Sequence, residues 1–226
     1  MSREQPQIVI ANWEGLEFFS IDELARFESV GRLLDTTPIS SWDDPRAPRL
    51  LADADVIVGH WGCPPIDERA IALAPNLGLF AYAAGTVKGV VTEALWESGV
   101  RVTSGANANA EPVAEFTLAA ILWANKDVMW RRTTGDRAPG GPSLPTDGPG
   151  SIPVGNHGKT IGLIGASIIG RRMIELLAAF PNLDVTLYDP FVAADEAAEL
   201  GVTKLELDEL CAGCDILSIH APALPS

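Results

Sequence analysis

The sequence predicts an α/β protein built from two successive strand–helix units, each with a parallel sheet. Three observations carry this. Short apolar runs alternate with helical runs along most of the chain. Runs such as Val56–Val58 are continuously apolar, as strands covered on both faces are. A Gly- and Pro-rich tract, Thr133–His157, separates one series from the next.

In chain order, the first series gives strands Gln7–Asn12, Arg32–Thr37, Asp55–Trp61, Leu77–Ala84 and Arg101–Ser104. Helices Ile21–Val30, Asp44–Ala54, Ile66–Ala74 and Val87–Ser98 lie between them. A long helix follows, about Ala110–Arg131, with apolar residues nearly all round: Val113, Phe116, Leu118, Ile121, Leu122, Trp123, Met129 and Trp130. Such a helix is buried on more than one side, either as a core helix or between domains or subunits; the second option predicts a homodimer. The tract Thr133–His157 is expected to be a long surface excursion. The second series gives strands Thr160–Ile164, Asp184–Tyr188, Val202–Leu205 and Asp215–His220, and helices Ser167–Phe180, Ala193–Leu200 and Leu207–Ala212. The predicted domains are residues 1–104 and 105–226.

The chain has 226 residues, 47% hydrophobic and 20% charged, which is a globular composition with enough apolar material for a core. The formal charge of −14 and the lack of clustered Lys and Arg argue against a nucleic-acid partner. No segment fits a signal peptide, and runs such as Leu118–Ala124 are too short to span a bilayer. Three cysteines make no disulfide framework, so a cytoplasmic setting is expected.

The segment Gly165-Ala-Ser-Ile-Ile-Gly170 carries the most chemistry. It follows an apolar strand and opens a helix, which is the setting of the dinucleotide fingerprint G-x-G-x-x-G. Gly165 makes the tight turn, Gly170 allows close packing, and the helix N-terminus offers N–H groups to a pyrophosphate. Ile168 and Ile169 complete the turn. Ser167 replaces the middle glycine; it reads as a phosphate donor, as the helix N-cap, or as both. Asp189 ends the next strand, close to the usual spacing for a carboxylate that accepts the ribose hydroxyls. With no Arg in Pro190–Asp195, NAD is preferred over NADP. In a sheet ordered 3-2-1-4, His220, Ala221 and Pro222 face the glycine turn across the cofactor crevice. His220 reads as a general base or, ahead of that, as a strand-end histidine bonded to backbone.

These residues resemble the D-isomer-specific 2-hydroxyacid dehydrogenases, which include phosphoglycerate, glycerate and formate dehydrogenase relatives. The likeness also rests on Gly85–Lys88, Asn109–Glu115, Leu187–Pro190, Leu207–Leu210 and Asp215–Pro222, and covers nearly the whole chain. It implies a flavodoxin-like substrate domain followed by a Rossmann NAD-binding domain, with substrate in the cleft between them. It implies an oxidoreductase that moves a hydride between NAD and a small 2-hydroxy or 2-oxo acid. Ala84, Gly85 and Thr86 match the loop whose N–H groups hold the substrate carboxylate, an expectation that small residues at a strand end share. Lys88 adds charge there or is simply solvated. Asn109 matches an asparagine that contacts substrate; by itself it reads as the N-cap of the long helix. Pro190 and the His220–Pro222 strand end match cofactor contacts.

In the family an Arg, an acid and a His carry out catalysis, and all three follow the segment matching Asp215–Pro222. The chain as given ends at Ser226, so no catalytic residue is assigned and the sequence is expected to be a fragment, inactive alone. The alternative class is a non-enzymatic, NAD-responsive, corepressor-like binding protein on the same fold. Cys211 and Cys214 have C-x-x-C spacing, but four ligands are wanted for structural zinc, so buried thiols are expected. Cys63 lacks a recognisable base for a nucleophile's role. His60, Trp61 and Cys63 sit at the end of the third strand, facing the presumed cleft; Trp13, at the end of the first, reads as lining the same cleft or, ahead of that, as core packing.

Overall fold

The computed structural model describes residues 5–15, 18–128 and 155–222. They fall into two compact units, Met1–Asn109 and Ala110–Ser226. The division lies five residues beyond the predicted one, within a helix rather than before it.

The first unit has a five-stranded parallel sheet of order β2-β1-β3-β4-β5, with β1 Gln7–Ala11, β2 Arg32–Leu33, β3 Val56–Gly59, β4 Leu79–Tyr82 and β5 Arg101–Ser104. This is the flavodoxin-like order. Strands β1 and β3 pair Ile8 with Val56 and Ala11 with Gly59, and β3 and β4 pair Gly59 with Tyr82. Residues Ile8–Ala11 and Ile57–Val58 are buried, so helices cover both faces of the centre. The helices are α1 Ile21–Val30, α2 Ala47–Asp53, α3 Glu68–Leu73 and α4 Glu93–Glu97. Ser20 and Glu23 form a capping box that starts α1, while Asp67 and Thr92 cap α3 and α4.

Three departures from the sequence expectation have a cause visible in the structure. Strand β2 stops at Leu33 because Asp35 accepts a hydrogen bond from the Thr37 N–H and turns the chain; pairing resumes only at the Ala11–Ile39 bridge. Helix α4 begins at Glu93 rather than Val87, since Val91 pairs with Ile66 and Thr92 then caps. The long helix, α5, spans Ala106–Asn125 and starts earlier than predicted, with Asn109 N–H bonding to the Gly105 carbonyl. Pro112 therefore lies inside it rather than in its first turn.

The second unit has four parallel strands in the order β8-β7-β6-β9: β6 Lys159–Ile164, β7 Leu183–Tyr188, β8 Thr203–Lys204 and β9 Ile216–Ile219. This is the expected 3-2-1-4 arrangement. Helices α6 Ile168–Leu177, α7 Ala194–Glu199 and α8 Leu207–Gly213 connect them. Ile161, Leu163, Met173, Leu177 and Leu187 form the buried centre, and Ala114 and Ile121 of α5 pack into it. A buried side chain of this size is worth about 1.5–3 kcal/mol. Only Ala110, Ala114, Ile121 and Asn125 of α5 are buried; Phe116 and Trp123 are 76% and 55% exposed. The sequence expectation of a helix buried on more than one side is thus not met within the chain, because small residues form its inner stripe. Met129–Arg131 and most of Thr133–His157 lie outside the described residues.

Candidate functional site

The candidate cofactor site grows out of the β6–α6 turn. Gly165 has φ of +94°, in the left-handed region that favours glycine, and a Cβ there would lie 2.8 Å from the Ala221 nitrogen. Conformation and space therefore both demand glycine. A Cβ on Gly170 would lie 2.0 Å from the Gly165 carbonyl oxygen and 3.6 Å from His220 Cβ. Its absence lets the first turn of α6 seat on the glycine turn. These distances bring Gly165, Gly170 and the His220–Ala221 backbone together at the ends of β6 and β9.

Ser167 is the N-cap of α6, its hydroxyl accepting from the Gly170 N–H at 3.3 Å. Helix geometry leaves the N–H groups of Ile168 and Ile169 pointing out of the first turn. Ile168 is 49% exposed, whereas Ile169 packs against the second unit's core. At the end of β7, Asp189 faces the turn. Its Oδ2 accepts from the Ala166 N–H at 2.7 Å and its Oδ1 from the Phe191 N–H at 2.8 Å. Each oxygen has a further lone pair for a hydroxyl donor. Pro190 and Pro222 are exposed beside it and at the end of the β9 segment.

His220 is half-buried, and its Nε2 lies 2.9 Å from the Ser218 hydroxyl. The ring partner is thus a side chain, not the backbone expected from sequence; the backbone N–H of His220 is the group that bonds to the Ile164 carbonyl. Burial lowers the imidazole pKa below its ordinary value, favouring the neutral ring.

Sequence reasoning missed Arg171. Its Nε donates to the Ala166 carbonyl at 3.1 Å and its Nη2 to Glu196 of α7 at 2.6 Å, bracing the turn from outside. The only sequence signal was a cation directly after the last glycine.

The candidate carboxylate loop lies at the end of β4, in the first unit. Ala84 is buried, Gly85 half-buried and Thr86 exposed, and Lys88 is exposed. A Cβ on Gly85 would lie 2.9 Å from Asn109 Nδ2, so glycine lets the first turn of α5 approach the loop. Asn109 sits inside α5 and is not its N-cap, because the helix starts at Ala106.

The remaining candidates resolve simply. Cys63 is buried, and desolvation pushes its thiol up to about 12, which makes it unreactive. Cys211 is exposed and Cys214 partly so, contrary to the buried thiols expected, because α8 turns Cys211 to solvent. Among the described residues no group of His, Cys, Asp and Glu is placed to hold a metal. Trp13 is 52% exposed rather than packed in the core, since its ring lies over the backbone of Gly62 outside the sheet.

Residues 149–226 match the family model described as "D-isomer specific 2-hydroxyacid dehydrogenase, NAD binding domain". Beyond those residues, the chain is similar to D-isomer-specific 2-hydroxyacid dehydrogenases over most of its length. It is 31% identical over 217 residues to D-3-phosphoglycerate dehydrogenase of Mycobacterium tuberculosis, covering 90% of this chain and 38% of that protein. The same-named protein of Methanocaldococcus jannaschii is 27% identical over 176 residues, 77% of this chain and 32% of the relative. The chain thus spans less than two-fifths of these relatives' length. Among solved structures, a phosphoglycerate oxidoreductase from Rhizobium etli superposes with a TM-score of 0.69 at 21% identity, over 98% of this chain and 66% of that one. An NAD-dependent formate dehydrogenase from Staphylococcus aureus, in complex with NAD, gives 0.60 at 24% identity over 97% and 65%. The cofactor of the matched domain is NAD. The glycine turn fits it: without side chains at Gly165 and Gly170 the turn, the start of α6 and the end of β9 pack together, which sets the helix N-terminus and its free N–H groups at the strand ends.

Proposed function

We propose that the chain is the substrate- and NAD-binding part of an oxidoreductase that transfers hydride between NAD and a small 2-hydroxy or 2-oxo acid. The observation that carries this reading is the closure of the Gly165–Gly170 turn against the end of β9, with the Asp189 carboxylate bonded to it from β7. The nicotinamide, when bound, supplies the hydride acceptor or donor. The residues of the chain bind and orient. Ile168 and Ile169 N–H groups face the pyrophosphate at the α6 terminus, where the dipole favours an anion. Asp189 accepts the adenosine ribose hydroxyls and repels a 2′-phosphate. Pro190 lies beside the same ribose, and His220, Ala221 and Pro222 form the opposite wall. Ala84, Gly85 and Thr86 hold the substrate carboxylate through backbone N–H groups, and Asn109 adds an amide donor next to them. We assign no proton-transfer residue among the described residues; His220 is neutral and engaged with Ser218.

Calorimetric titration with both cofactors tests the reading. NAD(H) binds more tightly than NADP(H), and Asp189→Ala weakens NAD(H) about tenfold, as loss of hydrogen bonds to a charged group would. Tighter binding of NADP(H) by the unaltered chain overturns the assignment of Asp189.

We further propose a homodimer built through the Ala110–Arg131 region, supported by the exposure of Phe116 and Trp123 on α5. The three free thiols support a cytoplasmic setting. No described helix is long and apolar enough to cross a membrane.

A further inference from the structure

The aromatic side chains at the ends of β1 and β3 form a site for the substrate's side group, and we infer that this group is aromatic and uncharged rather than phosphorylated. The inference rests on the proposed 2-oxo acid reading. In the order β2-β1-β3-β4-β5, the chain leaves β1 toward one side and β3 toward the other, so a crevice opens between their carboxyl ends. Trp13 follows β1, and His60 and Trp61 follow β3. The Trp13 N–H donates to the Trp61 carbonyl at 3.1 Å, tying the two strand ends together just beyond the sheet.

The rings are held in place. Gly62 has φ of +80°, and a Cβ there would fall 2.0 Å from Trp13 Cδ1, so the indole rests directly on the glycine backbone. The His60 ring stacks on Phe18, with centroids 4.1 Å apart and planes 19° apart. Its Nδ1 accepts from the Trp61 N–H at 2.8 Å, which leaves Nε2 as the protonated nitrogen of the neutral ring. Trp61 meets both His60 and Phe18 edge-on. Yet Trp13 and Trp61 remain 52% and 49% exposed. Fixed, half-exposed indoles bind a flat apolar group at little entropic cost.

Position and charge select the occupant. Gly59 of β3 pairs with Tyr82 of β4, so His60 and the Ala84–Thr86 loop leave neighbouring strands about 4.8 Å apart. An acid held by its carboxylate at that loop has its side group within reach of His60 and Trp61. Among the described residues, those of 12–20 include Glu14 and no Lys or Arg, and residues 60–65 contain neither Lys nor Arg. A phosphate would meet Glu14 and a neutral imidazole there, and these two segments supply no cation to offset its desolvation.

Calorimetry on the full chain with bound NADH, using phenylpyruvate, pyruvate and 3-phosphohydroxypyruvate, tests this. Phenylpyruvate binds about tenfold more tightly than pyruvate, and the phosphorylated acid binds more weakly than either. Trp13→Ala and Trp61→Ala each weaken phenylpyruvate about three- to tenfold more than they weaken pyruvate, whose methyl group offers the indoles little surface. His60→Arg shifts preference toward the phosphorylated acid. Tighter binding of the phosphorylated acid by the unaltered chain overturns the inference, as does an aromatic preference that survives the Trp13→Ala, Trp61→Ala double variant. Equal binding of pyruvate and phenylpyruvate sinks the aromatic site but leaves the 2-oxo acid reading standing. Failure of all three acids to bind, with NADH bound, sinks both.

Discussion

Gly170 is the position where the site leaves least room. An alanine there would press its methyl group on the Gly165 carbonyl, a backbone atom that cannot swing aside. Gly170→Ala is therefore expected to cost about 1–3 kcal/mol of stability, as overpacking does, and to remove measurable NADH binding. Gly213, at the end of α8, is the control: a Cβ there meets nothing within 4 Å and its φ is not positive, so Gly213→Ala should be neutral or slightly stabilising. Denaturant unfolding and calorimetry on the two variants make the comparison. Unchanged NADH affinity in Gly170→Ala would remove the turn from the cofactor site.

Between elements, the ends of β6 and β9 are joined by an ion pair. The buried Lys159 ammonium donates to Asp215 Oδ1 at 2.8 Å, and the Thr160 N–H donates to Oδ2 at 2.9 Å. Lys159 foremost, then the Thr160 N–H, holds the Asp215 carboxyl below its ordinary value of 3.8. A carboxyl depressed on folding contributes stability that is fully present above its unfolded value and lost as pH falls through the folded one. Unfolding measured from neutral pH down through the acid range should show Asp215→Asn converging on the parent as pH falls below the folded-state value of Asp215. At neutral pH the variant should be less stable by about 1–3 kcal/mol, because it leaves the ammonium buried without its charge partner. A constant difference across the range would show that the pair contributes nothing through charge. The elements themselves were largely legible in the sequence where local chemistry decides them: Ser20 with Glu23 starts α1, and Ser167 starts α6. Legibility failed where a distant partner decides. Strand β2 ends at the Asp35 turn, α4 waits for Val91 to pair with Ile66, and α5 begins at the Gly105 carbonyl. Within the candidate site, Gly165, Gly170 and Asp189 stood out because steric need and spacing are properties of the chain alone. The reach of Arg171 to the Ala166 carbonyl, and the exposure of Trp13 over Gly62, depend on which strands become neighbours.

At the scale of the whole molecule, two parallel-sheet units follow one another in the chain, and α5 contributes its small residues to the core of the second. That arrangement leaves Phe116 and Trp123 outward. Sedimentation velocity at micromolar concentration should show a dimer, and Phe116→Glu with Trp123→Glu should give a folded monomer that still binds NADH. A monomer before substitution would remove α5 as the interface. The net charge of −14 works against non-specific association, so a dimer here requires a specific apolar contact.

The two hydrogen bonds accepted by Asp189 bear on how this scaffold can change over evolutionary time. The carboxylate proposed to choose between nucleotides also fastens the Ala166 amide, and with it the shape of the turn. Exchanging it for a small neutral residue would open room for a 2′-phosphate while unfastening the loop that must grip the diphosphate. A lineage, or an engineer, seeking to reverse the coenzyme preference must therefore restore that fastening as well. An Asn at this position would keep an acceptor for the amide and relieve the charge, which makes it the more accessible first step.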